Sequence, residues 1–159
     1  MNKQVSIVNK KALFNYYILE KFEAGIALTG PEIKSARAGS ASLVDGYARI
    51  SNNTVLLTNV YIAPYKKSRD NPTDSRRERL LLLNKREIDY IRGKTEGSNL
   101  TIVPLKLYFK AGFAKIELGQ ALGKKKADKR EVLRKKAIQR ETEKILREEK
   151  LKYQKESRT

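Results

Sequence analysis

Neither histidine nor cysteine occurs anywhere in the 159 residues. Their absence removes the usual general base near neutral pH, the commonest metal ligand, thiolate zinc sites, cysteine nucleophiles and disulfides. Carboxylate or lysine chemistry stays open, but no carboxylate pair stands out and no glycine-rich phosphate loop is present. The residue inventory therefore argues against an enzyme and calls for no cofactor and no metal. Cationic side chains are abundant instead, 35 Lys and Arg against 18 Asp and Glu, for a formal net charge of +17. Self-repulsion at this imbalance destabilises a compact fold, so the expected partner is a polyanion. The charge peaks at 119–130, Gly-Gln-Ala-Leu-Gly-Lys-Lys-Lys-Ala-Asp-Lys-Arg, where Gly119 and Gly123 bracket an expected hinge between a body and a tail. Lys124, Lys125, Lys129 and Arg130 lie where an anion touching both parts would be gripped.

An acidic membrane surface is the rival to nucleic acid. It calls for an apolar span of roughly 20 residues or a basic helix with a strong apolar face. Neither is visible, since the longest aliphatic run is Leu80 to Leu83 and the first residues lack the apolar core of a signal peptide. A cytoplasmic, nucleic-acid-binding protein is expected.

The elements that must position the cations begin with a short basic segment at 5–11 and a strand over 14–19, which concentrates aromatic and β-branched residues. Residues 22–28 continue as a second strand or past a bend, with Gly25 marking a bulge or a close backbone approach. Thr29, Pro31 and Glu32 form a capping box with proline in the first turn, opening a helix that Gly39 stops. That helix either plugs one end of a barrel, with Lys34 and Arg37 merely solvated, or turns Lys34 toward RNA. Alternation over 42–50, an Asn52-Asn53 turn and a strand over 54–62 make an antiparallel meander.

Residues 66–79 form a long polar loop with Lys66, Lys67, Arg69, Arg76, Arg77 and Arg79, expected to contact phosphate or to be disordered. A second capping box, Asn84 with Glu87, opens a helix to about Arg92, closed by Gly93. The last hairpin pairs 100–110 with 113–118 around Ala111-Gly112. In its first strand Thr101, Val103, Leu105, Leu107 and Phe109 share one face, and Lys106 and Tyr108 the other. In its second, Lys115 and Glu117 read as a surface pair of little energetic weight. Six or so short strands with two capped helices suggest a small closed or partly closed antiparallel β-barrel of the oligonucleotide-binding type, mainly β, over residues 1–123. Tyr16, Tyr17, Tyr47, Tyr61 and Tyr65 either pack at its rim or stack on unpaired bases.

The tail, 124–159, holds 15 Lys and Arg against 7 Asp and Glu. Glu131 with Lys135 and Glu143 with Arg147 are favourable i, i+4 pairs, but the apolar residues make only a narrow stripe. A lone helix with so little to bury is marginal in water, so the tail is expected to be disordered or fluctuating when free and helical against RNA.

Several stretches, in this order, resemble the motifs of the SsrA-binding protein (small protein B) family, partners of transfer-messenger RNA in bacteria. They are Asn9-Lys10-Lys11-Ala12, the 22–28 strand, Glu32-Ile33-Lys34-Ser35, Arg37-Ala38-Gly39, the 81–88 segment Leu-Leu-Leu-Asn-Lys-Arg-Glu-Ile, and the 105–110 segment Leu-Lys-Leu-Tyr-Phe-Lys. Gly123-Lys124-Lys125 and Asp128-Lys129-Arg130 follow, so the resemblance runs from Asn9 to Glu131. It implies a body that binds the tRNA-like domain of transfer-messenger RNA at its elbow, in the place of an anticodon arm. It also implies delivery of that alanylated RNA to ribosomes stalled without a usable stop codon. The tail would enter the decoding region and the empty message channel as a helix, and the protein would be an adaptor, a monomer in a one-to-one complex.

Carried over by motif, Asn9, Glu23, Leu82 and Lys115 match the family's RNA-binding positions, and Lys10, Lys11 and Lys34 are cations of the same motifs. Gly123, Asp128, Lys129 and Arg130 match positions for tail function, with Lys124 and Lys125 beside them. Lys115 suits a phosphate. Glu23 must instead hydrogen-bond or orient a basic neighbour, because a bare carboxylate repels phosphate, and Leu82 is expected to support the surface by packing. Ala127 departs from the family, many members of which place an aromatic or histidine before Asp-Lys-Arg, which puts a stacking contact there in doubt. The rival reading is a general RNA-binding or ribosomal protein on the same barrel.

Overall fold

The computed structural model describes residues 4–67 and 74–157; the first three residues, Arg69 within the polar loop and the last two residues of the tail lie outside it. The chain divides into a unit ending at Gly123 and a second from Lys124 onward.

The first unit runs β1 (Ser6–Val8), α1 (Lys10–Asn15), β2 (Tyr16–Ile26), α2 (Gly30–Arg37), β3 (Ala41–Ser42), β4 (Tyr47–Ser51), β5 (Thr54–Thr58), β6 (Tyr61–Ile62), β7 (Arg79–Leu82), α3 (Lys85–Thr95), β8 (Leu100–Lys110) and β9 (Phe113–Gly123). Strands β8, β4, β5, β7, β2 and β9 pair in that order, and β9 returns to β8, so the antiparallel sheet closes into a barrel. Closure leaves no long unpaired edge. The three-residue β1 lies against β8, and β3 pairs with β6 in a separate two-stranded ladder.

The barrel interior is filled from every wall by Ala24, Ile26, Val55, Leu57, Leu81 and Ile116, among others. Helix α2 contributes Ala36 to this core and α3 contributes Ile88 and Ile91, so both helices cover it. Each helix starts with the box expected from the sequence. Thr29 Oγ accepts from the Glu32 N–H while Glu32 accepts from the Thr29 N–H, and Asn84 and Glu87 do the same. The Asn52-Asn53 turn joins β4 to β5, with Asn52 at φ 53°, a backbone region that asparagine tolerates.

Several sequence expectations are corrected. Residues 14–19 are not one strand: Asn9 caps α1 through Asn15, and β2 then runs without a break past Phe22 to Ile26. Alternation over 42–50 conceals a turn at Asp45 (φ 63°), and the 54–62 strand breaks at Asn59 (φ 61°). Helix α3 continues through Gly93 to Thr95, and the positive-φ glycine that follows it is Gly97. Strand β9 extends to Gly123, so Gly119 is no hinge. It is a strand residue where an added Cβ would lie 2.8 Å from Leu105 Cδ1 and 3.1 Å from Ile18 Cγ2.

Strand β8 also departs from simple alternation. Its register with β9 shifts between Pro104 and Lys106. Such a bulge adds one residue to one strand and exchanges the faces on either side of it. Leu107 and Phe109 therefore point into the barrel together with Ile102, whereas Val103 and Leu105 join Ala12 and Ala121 in a small second cluster under α1.

The second unit is one helix, α4 (Lys126–Glu156), of 31 residues, none of them buried. Along it Glu131 pairs with Arg134 at 2.9 Å, with the expected Lys135 charge also acting on the Glu131 carboxylate, and Glu143 accepts from Gln139. No helix among the described residues is long and apolar enough to cross a membrane.

Candidate nucleic-acid interface

Asn9 is not at the surface. Its side chain is 2% exposed and wholly engaged: Oδ1 accepts from the Ala12 N–H, and Nδ2 donates to the carbonyls of Leu43 and Pro104 at 3.0 and 2.9 Å. Both of its amide protons are thus engaged within the fold. Asn9 clamps the start of α1 onto β8 and the 43–45 turn, which fixes where exposed Lys10 and Lys11 project. Lys11 Nζ lies 3.1 Å from Asp45 Oδ1 at the rim of a concavity of about 160 Å³ lined by Asn15, Tyr16 and Tyr47.

Glu23, Leu82 and Lys115 converge on one outer surface of the barrel, made by β7, β2, β9 and β8. Gly25 stands at its centre, opposite Leu82 of β7 on one side and Lys115 of β9 on the other. A Cβ at Gly25 would sit 3.2 Å from Leu82 Cβ, so glycine keeps this place flat. Leu82 packs over Gly25 and at 57% exposure also presents apolar surface outward beside Phe113, 69% exposed. The two line a groove of about 300 Å³ with Gly25, Leu28, Ile33 and Lys115.

The carboxylate of Glu23 is held by hydrogen bonding, one of the two roles its sequence allowed. Its Oε2 accepts a short hydrogen bond from the Tyr108 hydroxyl, and its Oε1 lies 3.9 Å from Lys110 Nζ. The Tyr108 donor, and beyond it the Lys110 and Lys115 charges, hold the Glu23 carboxyl below the usual carboxylate range against a smaller opposing effect of burial. Burial and the bond to Glu23 push the Tyr108 phenol up to about 12, so it stays protonated as a donor. Lys115 and Glu117 do not pair; Glu117 takes Lys21 of β2 at 3.2 Å.

Lys34 stands apart from this set, its Nζ 5.3 Å from the centre of the Tyr65 ring. Of the polar-loop arginines that are described, Arg79 and Arg77 are tied into the fold, while Arg76 stays exposed. Arg79 is fully buried and bonds Glu32, Arg77 bonds the same carboxylate, and Arg76 lies over the Tyr61 ring. Burial alone would raise the Glu32 pKa, but donors from Arg77, the Thr29 N–H and Arg79 hold it below the usual range. Among the tail residues, Gly123 ends β9, and Asp128 reaches back to the Lys125 N–H at 3.4 Å in the first turn of α4, where the helix dipole favours a carboxylate. Arg130 is exposed, while Lys124 and Lys129 are half-buried.

Sequence reasoning set Tyr108 with Lys106 on one face of β8 but did not join it, Lys110 or Phe113 to the site; Lys110 shares that parity. Among the described residues no group of three or more carboxylates stands ready to hold a metal ion.

The SmpB protein family model matches residues 6–148. The SsrA-binding protein of Carboxydothermus hydrogenoformans is 52% identical over 139 residues, covering 87% of this chain and 93% of that protein. The SsrA-binding protein of Sulfurihydrogenibium sp. is 49% identical over 144 residues, covering 91% and 95%. Among solved structures, a chain of "tmRNA-SmpB: a journey to the center of the bacterial ribosome" superposes with a TM-score of 0.66 at 45% identity, covering 81% of this chain and 94% of that one. The motif order, the closed barrel and these matches over nearly the full length of each relative agree: the chain belongs to the SmpB, or SsrA-binding protein, family.

Proposed function

We propose that the chain is an RNA-binding adaptor of the bacterial cytoplasm that binds the tRNA-like domain of transfer-messenger RNA and brings it to stalled ribosomes. The observation that carries this reading is the outer β7–β2–β9–β8 surface. Exposed Leu82 and Phe113 and the cation Lys115 stand on one face with Lys10 and Lys11 on the same barrel, where Asn9 fixes them. Apolar side chains beside an ammonium suit an unpaired base and its phosphate, the pair that a folded RNA elbow displays. The adaptor performs no covalent chemistry of its own and binds one RNA as a monomer. Its tail, α4 with Gly123, Lys124, Lys125, Asp128, Lys129 and Arg130 at the start, works in the small-subunit decoding region and the empty message channel. Ala127 supplies no aromatic ring there, so the surrounding cations carry that contact.

A paired measurement tests both halves of the reading. The full chain and a version ending at Gly123 are compared for binding to transfer-messenger RNA and for tagging on stalled ribosomes. Truncation is expected to leave binding nearly intact and to abolish tagging. Loss of both together makes the tail part of the primary grip. Equal affinity of the full chain for an unrelated hairpin of the same length refutes specific recognition, because counterion release alone binds both alike.

A further inference from the structure

Strands β2, β9 and β8 lie side by side, and their registers place Glu23 opposite Glu117, and Lys115 between Gly25 and Tyr108. Glu23 and Tyr108 therefore stand two strands apart, on the order of 10 Å. Their hydrogen bond crosses β9 diagonally, between positions 115 and 117. Only long side chains bridge that distance, and the tyrosine hydroxyl does so without adding charge. Both acids of this face already have partners: Glu23 takes Tyr108 and, at 3.9 Å, Lys110, and Glu117 takes Lys21. Lys115 has no ion-pair partner among the described residues, and its one neighbour across the ladder on β2 is Gly25, which has no side chain. Glu23 is nonetheless the carboxylate within reach of it. Diagonal neighbours on adjacent strands are about 7–8 Å apart, a gap that a glutamate and a lysine close easily.

We propose that Tyr108 is a positioning residue of the RNA-binding surface: by holding the Glu23 carboxylate across β9, it keeps that carboxylate from closing on the Lys115 ammonium as a direct ion pair and leaves the ammonium open to a phosphate. This inference rests on the RNA-binding reading above. Phenylalanine at position 108 fills the same space and lacks the donor. Glu23 then turns to Lys115, and a phosphate must break that pair before it binds.

The test combines Y108F, E23Q, K115A and the doubles Y108F/E23Q and Y108F/K115A, each as the full chain. Two readouts are used: the salt dependence of binding to a transcript of the tRNA-like domain, and the Lys115 side-chain amine resonances of the RNA-free protein. Y108F is expected to weaken binding several-fold and to lower the steepness of log K against log salt by about 1, the loss of one phosphate contact. In the E23Q and K115A backgrounds the same change is expected to have no further effect, since either removes one member of the competing pair. In the free protein Y108F is expected to shift the Lys115 amine resonances, and Y108F/E23Q to restore them. Equal weakening by Y108F in all three backgrounds, or unshifted Lys115 resonances, overturns the proposal. A wild-type chain that does not prefer the tRNA-like transcript to an unrelated hairpin overturns the functional reading instead, and the Lys115 resonances still decide whether Tyr108 restrains Glu23.

Discussion

Glu32, at the start of α2, accepts a hydrogen bond from the guanidinium of Arg79, the first residue of β7, at 2.6 Å, and the arginine side chain is wholly out of solvent. The same guanidinium donates to the Val60 and Ser75 carbonyls, so a single cation fastens α2, β7 and the two segments between β5 and β7. Glu32 thereby serves twice, since it also closes the α2 capping box.

Removing one member of such a pair strands the other as a buried charge. Glu32→Ala is expected to destabilise the body by about 3–5 kcal/mol, read as a lowered urea midpoint at unchanged slope. The pair also sets an acid limb. The Glu32 pKa is lower in the folded chain than its ordinary value of 4.5, so its contribution is fully present above that value and is lost as pH falls through the folded pKa. Wild type is thus expected to lose stability more steeply below about pH 4.5 than Glu32→Gln does. Parallel acid limbs in the two proteins would refute this account of the pair.

Asn9→Ala removes a helix cap and the Nδ2 donor to the Leu43 and Pro104 carbonyls, of which Leu43 keeps the Gly46 N–H. A cost of about 1–3 kcal/mol is expected. Because Asn9 is buried with its amide engaged in the fold, RNA affinity at a temperature where the variant is fully folded should fall less than for Lys10→Ala with Lys11→Ala. Affinity loss without any loss of stability would return Asn9 to direct contact.

The two glycines of the 119–123 stretch should separate cleanly. Gly119→Ala drives a methyl group into Leu105 and Ile18, an overpacking expected to cost about 1–3 kcal/mol. Gly123→Ala meets nothing within 4 Å and should leave the thermal midpoint where it is. Any tagging defect of Gly123→Ala therefore reports on the tail and not on the barrel.

Adjacent leucines of β7 give an internal control. Leu81 is 2% exposed in the core and Leu82 is 57% exposed on the outer surface. Leu81→Ala is expected to cost about 2–5 kcal/mol, and Leu82→Ala less than about 0.5 kcal/mol while weakening RNA binding. Denaturation and binding measured on both variants would reveal a reversal of that order.

Local signals carried much of the fold. Thr29 with Glu32 and Asn84 with Glu87 announced their helices, because a capping box depends only on residues three apart. Asn52-Asn53 and Ala111-Gly112 announced their hairpins for the same reason. What stayed hidden depends on partners far along the chain. Arg79 reads as one more loop cation until Glu32, 47 residues away, is placed against it. Asn9 reads as surface until the Pro104 carbonyl arrives from β8. The β8 bulge is invisible in composition, since Val103, Leu105 and Leu107 are equally apolar on either face. In the outer surface, Glu23 and Lys115 were reached through family motifs, whereas Tyr108 became meaningful only once register set it beside Lys115.

Helix α4 has 31 residues and buries none of them. A substitution along it has no interior to disturb, and one that keeps the helix changes only what the helix offers to another molecule. In the barrel, by contrast, each change is first judged by whether the chain still folds. The two units thus answer to different tests. A change in the barrel must leave its packing intact before its effect on binding can be read, whereas a change along the helix that keeps it helical and alters function reports contact directly.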